Sequence, residues 1–220
     1  MSNKNLNDII TGNGSDLNLL LSDSKSGKTK NITINIKSLG FLRANDGKLK
    51  NKERILIQLL QIINSIKNLS DDVRSDLMAN VSKITTKDMF NAGEAHNKKI
   101  KEDEIALDPS KGFQDHVLTH EIGHSIDSLD AYHFFSDDKD VKSFIEQMKK
   151  THFRSTYALS DNKELFAEWY AYKNGIKSLS YDFFEHLEQS KHDQWKVIEN
   201  KLENILKISI LNLQKMKILD

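Results

Sequence analysis

The chain has 220 residues, with 32 basic and 32 acidic side chains and no cysteine. That length suits one or two ordinary domains and is ample for a buried core, and the cancelled charge argues against a nucleic-acid partner or an anionic membrane surface. Lacking cysteine, the chain excludes disulfides, zinc thiolate sites and a cysteine nucleophile, so any metal must sit on histidine and carboxylate.

The opening MSNKNLNDII lacks the apolar core of a secretory signal, and no stretch reaches the roughly 18 apolar residues of a membrane span, so a soluble chain is expected. Residues 1–30, rich in Asn, Ser, Asp and Gly, read as a flexible leader before one domain over 31–220. Ile32, Ile34 and Ile36 alternate with polar residues as in a strand, ending near Gly40 before the turn-like Asn45-Asp46-Gly47. Ile55, Leu59, Ile62 or Ile63, Ile66 and Leu69 recur at helical spacing and predict an amphipathic helix of about four turns. Short strands are expected over Lys83 to Phe90 and Glu104 to Asp108, the second closed by the only proline, Pro109. Thereafter helices are predicted over about 113–129, 139–152, 162–174, 181–189 and 193–216. The order gives a strand-and-helix part over 31–111, then a helical part over 112–220.

Chemistry concentrates at His120-Glu121-Ile122-Gly123-His124. On a helix, residues four apart share one face about 6 Å apart along the axis, so both imidazoles can reach one ion. Glu121 then projects beside the metal, where it can take a proton from water. The bland alternative is a charged helix face with two solvated histidines; Val117, Leu118, Ile122 and Ile126 argue against it, because they surround the motif with apolar residues.

A catalytic zinc ion needs a third protein ligand and an open position. One candidate is Asp130, ten residues after His120, where metzincin-type sites place a ligand beyond a glycine turn. Here Asp127 occupies the turn position, and a helix continuing through it would carry Asp130 about 9 Å along the axis from His124. The other is Glu164, forty residues after His124, paired at i+4 with Glu168. One of these carboxylates can ligate while the other orients a histidine. Two exposed glutamates would be the plain reading, but Leu165, Phe166, Ala167 and Trp169 argue for burial, and buried carboxylates need partners.

HEIGHSID, then Ser155-Thr156-Tyr157, then Glu164-Leu165-Phe166-Ala167-Glu168 resemble the catalytic domain of anthrax lethal factor and the related Pro-Pro endopeptidases, over roughly residues 104–190. The resemblance implies a zincin-like α+β fold with a small, mostly antiparallel sheet packed on the active-site helix. It implies one catalytic Zn2+ bound by His120, His124 and Glu164 in gluzincin-like manner, Glu121 as general base, Glu168 behind the ligands, and Tyr157 facing the open position. The sequence departs from the family at Ala158, where lethal factor has glycine, and in its N-terminal region. A protein or peptide substrate is implied, and a role as a secreted bacterial toxin or effector is suggested by the resemblance alone.

The chemistry expected of such a site is peptide hydrolysis: zinc lowers the pKa of water toward about 7, Glu121 takes the proton and returns it to the leaving amine. Tyr157, seven residues before Glu164, is placed to donate to the oxyanion; simple packing is its alternative role. The strand around Ile105 and Leu107 is expected to pair with an extended substrate. His116 lies one turn before His120, but three histidines on consecutive turns span about 12 Å and cannot share one tetrahedral ion. His96, His133, His152, His186 and His192 show no ligand spacing and read as solvated or capping residues. Two rivals remain: a catalytically inactive lethal factor-like domain acting as a protein-binding module, and a structural zinc site. Retention of Glu121 opposes the first, and the missing fourth ligand and cysteines oppose the second.

Overall fold

The computed structural model describes residues 16–22, 27–35, 51–86, 93–97, 103–108, 115–127, 134–151, 153, 155–190 and 192–216. Gly40, the turn at 45–47, Pro109 and the rival ligand Asp130 lie outside them. Five strands form one sheet in the order β1-β2-β3-β5-β4. Strands β1 (Leu17–Ser22) and β2 (Thr29–Ile34) pair antiparallel from Leu17 opposite Ile34 to Ser22 opposite Thr29. The stretch read as a flexible leader therefore carries a strand. Leu20, 62 % exposed, interrupts the alternation of apolar and polar residues that would have marked it.

Helices α1 (Asn51–Asn68) and α2 (Asp71–Asn80) connect β2 to β3 (Lys83–Thr86), which runs parallel to it. Parallel neighbours need such a crossover, because the chain must return to the same end of the sheet. Leu59, Ile62 and Ile66 bury the inner face of α1, as their spacing predicts. Helix α2 was not foreseen, since Val73 and Leu77 are too short a periodic run to announce it. Ser70 caps it, accepting from the Val73 N–H at 3.4 Å.

Strand β5 (Asp103–Leu107) runs parallel to β3 and antiparallel to β4 (Gly93–Asn97), which is outermost. The sheet is thus mixed rather than mostly antiparallel: two pairings are parallel and two antiparallel. Ile105, Ala106 and Leu107 are all buried, the continuous apolar run of an interior strand. Strand β5 has both edges occupied and cannot accept an added strand, contrary to the role expected of Ile105 and Leu107; the outermost position on that side belongs to β4.

Five helices follow: α3 (Asp115–Asp127), α4 (Lys139–Met148), α5 (Asn162–Lys173), α6 (Tyr181–Gln189) and α7 (Asp193–Met216). Helix α4 stops short of the predicted 152. There the Thr151 hydroxyl donates to the Met148 carbonyl at 2.6 Å and accepts from the Phe153 N–H at 3.2 Å, a local turn that competes with another helical turn. Helix α3 lies between β4 and β5 on one side and α5 on the other, with Leu118, Ile122 and Ile126 in the core. The result is a helix-rich α+β fold. No helix among the described residues is long and apolar enough to cross a membrane.

Candidate metal centre

Helices α3 and α5 cross closely because Gly123 stands at their contact. A Cβ there would lie 3.0 Å from Ala167 Cα and 3.3 Å from Tyr170 Cβ, so any side chain would force the two helices apart. This approach sets His120 and His124 of α3 against Glu164 and Glu168 of α5. The start of α5 is fixed by Asp161, whose carboxylate accepts from the Lys163 and Glu164 N–H groups at 2.8 and 2.9 Å.

Glu164 faces both imidazoles, with Oε2 at 3.1 Å from His120 Nε2 and Oε1 at 3.5 Å from His124 Nε2. Ligand atoms of a tetrahedral zinc ion stand about 3.4 Å apart. Donor atoms of His120, His124 and Glu164 all lie within 4.8 Å of one another, the one such group found among the described residues. These three could hold a metal ion, and two imidazole nitrogens with one carboxylate oxygen suit zinc chemically while leaving a fourth position open.

Behind them, Glu168 Oε1 is 2.8 Å from His120 Nδ1. Its other oxygen accepts from the Ser178 hydroxyl at 2.7 Å and the Ser180 N–H at 2.8 Å. Burial pushes the Glu168 carboxyl up, but His120 and then the two serines outweigh it and hold the group below its ordinary range. An ionised carboxylate only accepts, so Nδ1 carries a proton, and a neutral ring would then turn a bare Nε2 toward Glu164. Two lone pairs cannot face each other at 3.1 Å without a cation or a proton between them. In the metal-free chain a proton meets the same demand. Burial pushes His120 down, yet Glu164, Glu168 and Glu121 outweigh it and raise the imidazole to about 10. Glu164 is held well below the usual carboxylate range by His120 and His124, against the opposing effect of its burial.

Glu121 is buried at 5 % exposure, and its charge acts on both His120 and Tyr157. Tyr157 opens a short 3-10 turn, Tyr157–Leu159, with its ring centroid 5.9 Å from that of His120. Burial, then the Glu164 carboxylate that its hydroxyl bonds, hold the phenol well above its ordinary range. It therefore stays a hydrogen-bond donor at any working pH. The residue remains 38 % exposed, so a ligand can reach it.

Other histidines stand apart. His116 belongs to α3 but not to the donor group, His186 lies against Phe153, and His192 offers its carbonyl to the first turn of α7. The side chains of His96, His133 and His152 lie outside the described residues. Sequence reasoning missed Ser178 and Ser180, because serines ahead of an apolar helix signal only a cap. It also passed over the burial of Asp127, whose carboxylate accepts from the Ser136 N–H at 2.7 Å and from the Ser136 hydroxyl. Comparisons with protein-family models, curated proteins and solved structures find no match for this chain.

Proposed function

We propose that the chain is a zinc-dependent peptidase of the zincin-like, gluzincin type. Within that class its motifs are most similar to the lethal factor and Pro-Pro endopeptidase catalytic domains, so the reading is an endopeptidase acting on a protein or peptide substrate. One observation carries it: the Glu164 carboxylate reaches across to Nε2 of both His120 and His124, while Glu168 holds the opposite nitrogen of His120.

His120, His124 and Glu164 would hold the zinc ion, which supplies Lewis-acid activation of water and of the scissile carbonyl. Glu121 takes the proton released as the new C–O bond forms and passes it to the amine nitrogen as the C–N bond breaks. Tyr157 donates its hydroxyl hydrogen to the oxyanion. Strand β4, outermost in the sheet and beside α3, offers its backbone to an extended peptide. A toxin or effector role rests on the resemblance alone.

The test is a zinc titration together with a peptide-library digest read by mass spectrometry. One tightly held zinc ion is expected, with hydrolysis abolished by a chelator and restored by zinc. Glu164→Ala should weaken zinc binding strongly, and Asp130→Ala should leave it nearly unchanged. Full hydrolysis by the chelated protein, or the reverse ranking of the two variants, would overturn the assignment.

A further inference from the structure

Ser180 joins two parts of the centre that are far apart in sequence. It is 1 % exposed and immediately precedes α6. A serine there ordinarily turns its hydroxyl onto the first turn of its own helix, but Ser180 makes no such bond. Its Oγ instead accepts from the Ala158 N–H at 2.9 Å, while its own N–H donates to Glu168 Oε2 at 2.8 Å. Glu168 is the carboxylate against His120 Nδ1. Ala158 is fully buried and follows Tyr157 directly. The Leu159 N–H to Thr156 and Ser160 N–H to Tyr157 bonds, at 3.0 and 2.9 Å, are internal to that turn and cannot anchor it.

We infer that Ser180 is a positioning residue that sets the Tyr157 hydroxyl against the His120 side of the centre, so that oxyanion donor and metal ligands share one frame. The inference rests on the metallopeptidase reading. Ser178 does a different job. Its hydroxyl donates to Glu168 Oε2 at 2.7 Å and accepts weakly from the Ser180 N–H at 3.4 Å, so it supports the histidine branch. Replacing Ser180 by alanine keeps the backbone N–H on Glu168 and deletes the hydroxyl, which accepts from Ala158 and also helps hold the Glu168 carboxylate. The two serines can therefore be separated experimentally.

The full chain, loaded with zinc, is titrated with acetohydroxamate, whose oxygens accept at the open position facing Tyr157. Zinc affinity is measured separately by competition with a chromophoric chelator. Ser180→Ala should weaken acetohydroxamate on the order of tenfold, with a zinc loss clearly smaller than that of Ser178→Ala, because the backbone N–H stays on Glu168. In a Tyr157→Phe background the same substitution should add nothing, because the hydroxyl it positions is already gone. Ser178→Ala should do the opposite, lowering zinc affinity and leaving the Tyr157 coupling in place. Ser180→Thr, which keeps the acceptor, should restore acetohydroxamate binding. If the alanine variant does not fold, Ser180→Cys keeps the volume with a weaker acceptor and should give an intermediate loss. Additive effects of Ser180→Ala and Tyr157→Phe, a zinc loss as large as that of Ser178→Ala, or a cysteine variant with unaltered binding would each overturn the inference. An unsubstituted protein that binds no zinc would overturn the metallopeptidase reading and this inference with it; intact zinc binding with additive variants overturns this inference alone.

Discussion

Glu121 and Glu164 are both carboxylates beside the same two histidines, and their positions give them different work. Glu164 spans the two Nε2 atoms from a neighbouring helix, whereas Glu121 sits on α3 between the histidines and is absent from the donor group. A residue that only accepts a proton can be neutralised without loosening the metal. Glu121→Gln should therefore keep zinc affinity and melting temperature while kcat falls by roughly 10²- to 10⁴-fold. Parallel chelator competition and steady-state assays check this. A glutamine variant that loses zinc along with activity would move Glu121 into the ligand set.

The pair formed by α3 and α5 is where sequence becomes a site, and Gly123 decides how close the pair stands. An added methyl would meet backbone at 3.0 Å, and backbone cannot swing aside as the end of a long side chain can. Gly123→Ala improves helix propensity by about 1 kcal/mol, but overpacking at a tight helix crossing costs about 1–3 kcal/mol. The second effect is expected to win, giving a lower melting temperature. Displacing α5 by even a few tenths of an ångström also moves Glu164 and Glu168 together, so zinc affinity should fall in the same variant. A variant more stable than the parent, with unaltered zinc binding, would show that the helices tolerate a wider crossing.

Across the whole molecule, acidic groups disagree about pH. Burial raises the Asp127 carboxyl to about 6 from an ordinary value of 3.8, with the Ser136 bonds opposing the rise in part. The folded state therefore binds this proton more tightly than the unfolded chain does. Its contribution favours folding below pH 4, declines as pH climbs, and is fully lost above about 6. Glu164 and Glu168 are held low and have the reverse dependence, losing stability as pH falls. Comparison with Asp127→Asn isolates the first effect. Between pH 4 and 6 the parent should lose on the order of 3 kcal/mol relative to the variant, read from denaturant midpoints across that range. Parallel pH profiles for the two proteins would show that Asp127 titrates normally.

Much of this was legible because the responsible interactions are local. The predicted helices at 162–174, 181–189 and 193–216 match α5, α6 and α7 to within a residue, since periodic burial and caps such as Asp161 are written into short windows. The spacing of His120 and His124 is likewise a property of one helix, and Glu168 shares the face of Glu164 for the same reason. Strands β1 and β4 and helix α2 were missed where local signals were thin. The sheet is mixed where the resemblance implied a mostly antiparallel one, and its parallel β2–β3 pairing is set by the crossover of α1 and α2, a long-range event that no short window contains. Bringing Glu164 to within 3.1 Å of His120 required the close crossing at Gly123. Joining Ser180 to both Glu168 and Ala158 required segments 12 and 22 residues away to fold onto it. Sequence determined which groups each helix and strand could present; only tertiary packing decided which of them meet, because a hydrogen bond or a ligand set depends on sub-ångström distances between segments that the chain itself leaves independent.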